Sequence, residues 1–531
     1  MIREALPAAP SVGARLAGAR RHLPPIGLLG ASVLVVAVLV VPLVFLLLEA
    51  SGVGARTLSS LIFRSLTWTL LWNTVRLVVV VTALCAVIGT LAAWCVERTD
   101  LPGRRIFAVL LVIPFAIPDF VVSFGWASLS TWVAGFRGAV LVMTLGVYPL
   151  VYLPVAASLR SADPGLEEVS RSLGLGRVRT FWRVTLGHAR GAILGGCVLV
   201  ALVILAEYGA FEILGYQTYT TEIFTEFKLS YNVSAASALS LVLVALSIVV
   251  LAADALMRGG GSTARVGPLA QRVLPRHRLG RAKAPVVVTL VALVGLALGV
   301  PVASCVYWMV DGGAAAIQGV SMADAAWHTA LYSGSAAVVD TVAALPIALL
   351  ALRHASPVSR LLERSTYIVL AMPGVVIALA LTYLTEHYLA GYGYQTGPLL
   401  VLAYAILFFP LALVGVHASL THAPPRYEEI ARVLGERRLG ALVRVTLPIV
   451  APGLAASFCL VFLAAVTELT ATLLLVPTGV QTLATQFWAY QSNLSYGQAA
   501  PFALVIIGIA AVPSYVLARF FDRLPSGSVR G

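Results

Sequence analysis

Long runs of hydrophobic residues, separated by short polar stretches, dominate this chain from end to end. A helix needs about 20 apolar residues to cross a bilayer core of roughly 30 Å, and unpaired backbone groups are not tolerated in lipid. Runs of this length therefore predict an all-α integral membrane protein with about twelve transmembrane helices. We place the spans at approximately 26–48, 70–96, 106–130, 139–159, 189–212, 233–256, 285–309, 328–352, 366–388, 398–420, 449–475 and 498–520.

A stretch rich in Gly, Pro and Arg separates the sixth predicted span from the seventh and divides the chain into two halves. We predict that the two halves are homologous and contain six helices each. The regions that this division predicts are an N-terminal tail with the first span (1–69), a first transmembrane domain (70–256), a cytoplasmic basic linker (257–284), the seventh span with an outer loop (285–326), a second transmembrane domain (327–520) and a cytoplasmic tail (521–531).

The composition excludes a soluble protein. Hydrophobic residues make up 60% of the chain and charged residues 11%, whereas a soluble domain carries roughly 25% charged residues. The net charge of +13 is concentrated in alternate loops: the linker holds six arginines and Lys283, while 476–497 holds no charge. Positively charged loops face the cytoplasm, so both termini are predicted to be cytoplasmic, and nucleic acid is not an expected partner.

Two polar segments of the chain are copies of each other. Glu167–Leu186 and Glu428–Leu447 align at an offset of 261, with ten of twenty positions identical, and each follows the fourth span of its half. Each pattern predicts two short surface helices that meet at a glycine, which permits a sharp turn. Such a helix, with an apolar ridge and a charged rim, can occupy a groove of a soluble partner. The residues that we assign to these docking points are Glu167, Glu168, Arg171, Gly174, Glu428, Glu429, Arg432 and Gly435.

The duplicated segments resemble the EAA loop of type I permeases of ATP-binding-cassette importers. The shared pattern is a glutamate six residues before a glycine, followed by a valine and a leucine that lead into the next span. The resemblance covers both transmembrane domains, and it implies a fused permease whose loops insert into two copies of a cytoplasmic ATP-binding subunit. Gly187 departs from the family's proline, which is present as Pro448, so we expect a more flexible exit from the first loop.

The chain has no G-x-x-x-x-G-K-[ST] sequence and cannot bind ATP through a P-loop. We therefore expect no enzymatic activity and no cofactor on this chain, with ATP bound and hydrolysed by the partner.

The duplication continues into the predicted membrane region. Glu207 and Glu468 share the offset of 261, and GYQTYTT at 215–221 matches GVQTLAT at 479–485. Intramembrane carboxylates are costly and often mark a transport path. The alternative interpretation is that these carboxylates lie at the interface and reach water. The residues that we assign to a path or gate are Glu207, Glu468, Gln217, Thr218, Gln481 and Thr482.

These segments, together with IPFAIPDF at 113–120 and MPGVV at 372–376, resemble fused twelve-span permeases for ferric iron. This resemblance implies an extracytoplasmic substrate-binding protein as a partner and the inner membrane of a bacterium as the location. Fused permeases for thiamine and aminoethylphosphonate share much of the pattern and remain alternatives. No His, Cys or Asp cluster with the spacing of a metal site is present, so no metal is expected to be held by the chain.

A twelve-span secondary transporter is the alternative from another class. The stretch DLPGRR at 100–105 resembles the D-x-x-G-R-R element of the major facilitator family. Val96 and Leu101 depart from that element, and nothing in such a transporter predicts two matched polar loops.

Overall fold

The computed structural model describes residues 25–52, 59–60, 63–160, 169–170, 172–230, 232–257, 277–313, 321–354, 356–388 and 393–523. Within these residues the secondary structure is helical, and the only extended pairing is an isolated bridge between Thr99 and His277. Ten described helices are long and apolar enough to cross a membrane, and the number is twelve if each of two bent pairs is one span. The predicted all-α membrane architecture is therefore confirmed.

The helices are numbered in chain order. Those before the linker are α1 (Ile26–Gly52), α2 (Ser65–Arg98), α3 (Arg104–Leu110), α4 (Asp119–Ala127), α5 (Phe136–Val147), α6 (Pro149–Arg160), α7 (Arg177–Thr180), α8 (Leu186–Ala206), α9 (Gly209–Ile213), α10 (Tyr219–Lys228) and α11 (Val233–Met257). Those after it are α12 (Lys283–Val294), α13 (Val300–Gly312), α14 (Met322–Arg353), α15 (Pro357–Thr366), α16 (Gly374–Tyr388), α17 (Gly397–Thr421), α18 (Pro425–Val433), α19 (Arg438–Ala441), α20 (Leu447–Val466), α21 (Thr470–Leu475), α22 (Leu483–Ser492) and α23 (Tyr496–Arg523).

The same three-helix arrangement forms the centre of each half. In the first half α2, α6 and α8 pack against one another, and in the second half α14, α17 and α20 do so. Small residues allow these helices to approach closely, as they commonly do in membrane proteins. A Cβ added at Gly196 of α8 would lie 2.7 Å from the Cα of Val151 in α6. One added at Gly453 of α20 would lie 2.2 Å from the Ser419 hydroxyl in α17.

The first helix of each half packs on the opposite half. Helix α1 lies against α14, α15 and α16, and its Leu39 and Leu46 are buried in a core formed largely by second-half residues. Helix α13 lies against α4, and its Cys305 is buried in a core formed largely by first-half residues. A Cβ at Gly125 of α4 would lie 2.6 Å from the Cα of Pro301. The exchange joins the two halves into one body.

Two of the predicted spans are sharply bent. The span at 106–130 is a helical stretch at Arg104–Ala116 followed by α4 at an angle of 90°. The span at 366–388 is likewise a stretch at Pro357–Ala371 followed by α16 at 101°. Each bend falls at a proline, Pro118 or Pro373, which lacks a backbone N–H and forces the preceding residue out of the helical region.

The predicted spans at 189–212 and 449–475 are also too long. The straight helices end at Ala206 and Val466, and the chain then begins the short helices α9 and α21. Glu207 adopts an extended backbone conformation with ψ 135°, so the helix cannot continue through it. Apolar composition correctly predicted a membrane helix in each region, but it does not show where a helix ends within an apolar run.

The described end of the linker is anchored to the first half by Asp100. The Asp100 Oδ1 accepts a hydrogen bond from the Leu279 N–H at 2.8 Å, and its Oδ2 lies 3.0 Å from the Lys283 Nζ. The backbone hydrogen bond and then the ammonium group of Lys283 lower the pKa of Asp100 below its usual value. The acidic residue of the DLPGRR stretch thus fastens the start of α12, whereas 258–276 lie outside the described residues.

Candidate functional site

The second duplicated segment folds as a helix, a left-handed glycine and a second helical turn. Helix α18 begins with Pro425, whose missing N–H is no loss in the first turn. The helix closes through hydrogen bonds from Leu434 N to the Ile430 carbonyl and from Glu436 N to the Ala431 carbonyl, both 3.0 Å. Gly435 then takes φ 96°, a conformation that glycine adopts without steric cost. A π-helical turn at Leu442–Thr446 leads into α20.

The first duplicated segment repeats this geometry wherever it is described. The Leu173 N–H donates to the Val169 carbonyl at 3.0 Å, and Gly174 takes φ 83°. A π-helical turn at Phe181–Thr185 leads into α8. The predicted turn at each glycine is confirmed. Glu167, Glu168 and Arg171 lie outside the described residues, so their assignment to this segment stays a prediction.

Each segment exposes apolar side chains. In the second segment Val433 is 87% exposed and Leu434 is 80% exposed, and Ile430 is exposed beside them. Together with Arg426 and Glu429 these three line a shallow surface depression. In the first segment Leu173, the counterpart of Leu434, is 77% exposed. An apolar ridge with a charged rim is suited to binding a protein groove.

The two adjacent glutamates of the second segment point to different surroundings. Glu429 is exposed and lines the depression, and Arg432, further along α18, is also exposed. Glu428 is turned inward: its Oε1 lies 3.1 Å from the Arg353 Nη2 and accepts a hydrogen bond from the Thr446 hydroxyl at 2.9 Å. Of this pair Glu429 is the more exposed.

The matched carboxylates Glu207 and Glu468 have the same local role. Glu207 Oε1 accepts a hydrogen bond from the Ala210 N–H at 2.7 Å, and Glu468 Oε1 accepts one from the Ala471 N–H at 2.9 Å. Each carboxylate stands one residue before the N-cap and accepts a hydrogen bond from the first turn of the short helix that follows the break. Both side chains keep partial exposure.

The surroundings of these carboxylates bring the two halves together. A Cβ at Gly209 would lie 2.5 Å from the Leu469 Cδ2, so α9 touches the residue that follows Glu468. Asp119 and Glu468 are both close enough to act electrostatically on the Glu207 carboxylate. Because the sequence separates these three residues widely, only the fold reveals that they are neighbours.

The GxQTxxT segments attach to the long helices by matched hydrogen bonds. Thr218 and Thr482 form capping boxes at the starts of α10 and α22. The Asn73 Nδ2 donates to the Gln217 carbonyl at 3.1 Å, and His328 Nδ1 lies 3.2 Å from the Gln481 carbonyl. The threonines are thus engaged as helix caps, whereas the side chains of Gln217 and Gln481 are exposed.

Sequence reasoning missed the residues that hold these segments in place. Arg353 ends α14, and Arg98 ends α2 at the matching position, but their offset of 255 differs from the 261 of the duplicated segments. Thr74 and Thr329 share that offset, and each hydroxyl accepts a backbone N–H, from Tyr219 at 3.4 Å or from Leu483 at 2.9 Å. A search for repeats at a second offset would have found both pairs.

No three His, Cys, Asp or Glu side chains converge on a metal-binding geometry within the described ranges. The six path residues therefore form no closed metal site there.

Comparison with known proteins identifies the family. The family model described as "Binding-protein-dependent transport system inner membrane component" matches twice, at residues 86–258 and 341–527. An Fe(3+)-transport system permease protein of Haemophilus influenzae is 36% identical over 94% of this chain and 99% of its own length.

Two further relatives cover different shares of the chain. A ferric transport system permease protein of Actinobacillus pleuropneumoniae is 22% identical over 81% of this chain and 67% of its own length. A sulfate transport system permease protein of Synechocystis is 32% identical over 34% of this chain and 72% of its own length. The family model matches this chain twice. The chain belongs to the family of inner membrane components of binding-protein-dependent transport systems and is a fused, two-half ABC permease.

Proposed function

We propose that this permease forms the translocation path of an ATP-driven importer for ferric iron. The observation that carries the proposal is the 36% identity to an Fe(3+)-transport permease along nearly the whole of both chains. Similarity of this extent includes the segments around Glu207 and Glu468, which lie where the two halves meet. The family membership also removes the reason to consider a secondary transporter.

The partners follow from the two duplicated segments. Each exposes an apolar ridge, so the permease binds two copies of a cytoplasmic ATPase subunit, one at each segment. ATP is bound and hydrolysed there, because this chain has no P-loop. A substrate-binding protein delivers iron on the opposite side. The positive loops support a cytoplasmic location for both termini, with the permease in the inner membrane of a bacterium.

The two matched glutamates support a path between the halves. Glu207 and Glu468 come from different halves, are partly exposed and have Asp119 nearby. Ionisable residues within a membrane are costly and often mark an ion or substrate pathway. This arrangement supports a translocation path where the two halves meet.

Transport proceeds by alternating access between two states of the permease. ATP binding draws the two ATPase subunits together, and their grooves move the two duplicated segments. The helices that are broken at Pro118, Pro373, Ala206 and Val466 supply the joints at which the path changes shape. Iron released by the binding protein then passes the carboxylates toward the cytoplasm.

Reconstitution tests the substrate. The permease, its ATPase and its binding protein are placed in vesicles, and ATP hydrolysis is measured with ferric iron, thiamine or aminoethylphosphonate. We expect stimulation by ferric iron alone. Stimulation by thiamine but not by iron would overturn the assignment.

Co-purification tests the docking segments. Replacing Glu168 and Glu429 together by alanine should weaken the association with the ATPase and reduce the transport that ATP hydrolysis drives. Normal assembly and transport by this double variant would contradict the coupling role.

A further inference from the structure

We propose that Arg353, Glu428 and Thr446 form an internal clamp that transmits movement of the second duplicated segment to α14. Arg353 is a positioning residue in this scheme, since it acts on the path through the helix that it ends. The inference rests on the proposed function, because it requires an ATPase subunit that moves the segment.

Two side chains from other elements converge on the Glu428 carboxylate of α18. Arg353 is the last residue of α14, and its Nη2 lies 3.1 Å from Glu428 Oε1 and donates to the Ala423 carbonyl at 2.5 Å. Thr446, the last residue before α20, donates its hydroxyl to the same Oε1 at 2.9 Å. The clamp therefore joins the first turn of α18 to the end of α14, through Arg353, and to the start of α20, through Thr446.

The clamp is more sheltered than a surface ion pair. The side chains of Arg353 and Glu428 are 12% and 25% exposed, and Thr446 is buried. Exposed ion pairs contribute little because water and salt screen them. A charge-assisted pair that also satisfies a hydroxyl and a carbonyl holds its geometry better. Removing one partner leaves the other charge partly buried and uncompensated.

The orientation of Glu428 separates transmission from docking. Its carboxylate is occupied by internal partners, whereas the next residue, Glu429, lies exposed on the rim of the depression. A push on the exposed ridge of α18 thus reaches Arg353 directly through Glu428. In this scheme Glu429 contacts the ATPase subunit, and Glu428 bonds to residues at the ends of the membrane helices.

Helix α14 connects the clamp to the far end of the path. It has 32 residues, which at 1.5 Å per residue is about 48 Å. Near its other end, Thr329 accepts the Leu483 N–H at 2.9 Å and His328 contacts the Gln481 carbonyl. A displacement at Arg353 is therefore carried to the GVQTLAT segment that follows Glu468 and α21.

The sequence repeats the three residue types in the first half. Arg98 ends α2 as Arg353 ends α14, and Thr185 stands before α8 as Thr446 stands before α20. Arg98 and Thr185 are buried, and Glu167 is the sequence counterpart of Glu428 outside the described residues.

The test uses the complete transporter in vesicles, with three measurements: ATPase bound per permease, ATP hydrolysed, and ferric iron transported per ATP. Glu428→Gln should keep the ATPase bound and hydrolysing, while iron transported per ATP falls about tenfold, a size typical of coupling between two sites. Arg353→Gln should act alike, and Arg353→Lys should recover part of the loss.

Glu429→Gln is the matched control, one residue away on the same helix. It should lower the amount of ATPase bound, which Glu428→Gln should leave unchanged. If Glu428→Gln instead releases the ATPase as Glu429→Gln does, or leaves iron per ATP unchanged, the clamp is refuted.

Thr446→Val keeps the test decisive if the charged variants fail to fold, because it removes only one hydrogen bond. It should lower iron per ATP by a smaller factor, and an unchanged ratio would refute the clamp. Absence of any ATPase on the unaltered permease would refute the proposed function instead.

Discussion

The two duplicated segments share a backbone but differ in what fills it. Both turn at a left-handed glycine and both leave through a π-helical turn. Inside the first, the hydroxyls of Ser170 and Thr180 lie 3.1 Å apart, whereas the matching interior residues of the second are Ala431 and Ala441. The turn is therefore set by the glycine and the helix hydrogen bonds, and the buried pair can be polar or apolar if it is matched.

The exits of the segments teach the same lesson. Gly187 stands where the second segment has Pro448, yet the chain enters α8 and α20 through equivalent turns. Proline is compatible with the first turn of a helix, so both residues suit the position. The described backbone of the first segment therefore enters α8 in the same way as the second segment enters α20, with glycine in place of proline.

The surroundings of the matched glutamates, Glu207 and Glu468, differ more deeply between the halves. In the first half Asp119 begins α4, and a Cβ at Gly146 would lie 2.3 Å from its Oδ1. In the second half Gly374 begins α16, and a Cβ there would lie 2.9 Å from Glu468 Oε1 and 3.7 Å from Leu407 Cδ1. The first half pairs the larger Asp119 with Gly146, whereas the second half pairs Gly374 with the larger Leu407. Of these two sites, the first therefore has an additional carboxylate.

The largest effect is expected when the second half is given the first half's carboxylate. Gly374→Asp should destabilise the protein by about 1–3 kcal/mol, because it overpacks the site and adds a like charge beside Glu468. Adding Leu407→Gly should restore part of the loss by making room. Thermal unfolding in detergent measures both. Gly508→Ala is the control, because an added Cβ there has no heavy atom within 4 Å. A Gly374→Asp variant as stable as the unaltered protein would contradict the comparison.

A smaller loss is expected at the shared turns. Gly435→Ala and Gly174→Ala should each cost about 1–2 kcal/mol, because a Cβ is strained at positive φ. Faster hydrogen exchange across each segment would report the loss. Gly176→Ala is the control, since Gly176 has open space and no positive φ. Equal exchange in all three variants would show that the glycines are not required for the turn.

The interior pair of the first segment should show coupling. Ser170→Ala alone should cost about 1 kcal/mol, because it leaves a buried Thr180 hydroxyl without this partner. The double variant with Thr180→Ala should cost less than the sum of the two single changes, since it reproduces the second segment. Free energies of unfolding for all four proteins complete the cycle, and strict additivity would argue against an interchangeable pair.

The smallest effect concerns the linker, whose described end is attached to the first half through Asp100. The lowered pKa of Asp100 means that its ionised form contributes stability above its unfolded value of about 3.9. That stability is lost as pH falls through the folded pKa. We expect the protection factor of the Leu279 amide, which compares its exchange rate with that of an unfolded peptide at the same pH, to stay high at neutral pH and to fall only below about pH 4. Asp100→Ala should show a low protection factor at both pH values, and a further fall at low pH in that variant would implicate another group.

Sequence reasoning reached the fold class because each span is a local property. Runs such as 26–48 and 233–256 are apolar along their whole length, and the glycine turns are set by single residues. It placed spans at 106–130 and 366–388, but apolar composition does not give the angle at which each run bends at its proline. It grouped Glu428 with Glu429, because adjacent residues of one type are indistinguishable until their neighbours are known.

The sequence by itself determined the membrane class, the two-fold repeat and the polar segments that the repeat duplicates, because length, hydropathy and glycine positions act locally. The tertiary structure alone decided that α1 and α13 exchange halves, that Glu207 meets Asp119 and Glu468, and that Arg353 holds Glu428. These contacts join residues far apart in the chain and at different repeat offsets. Their selection depends on packing between helices, which no single segment encodes.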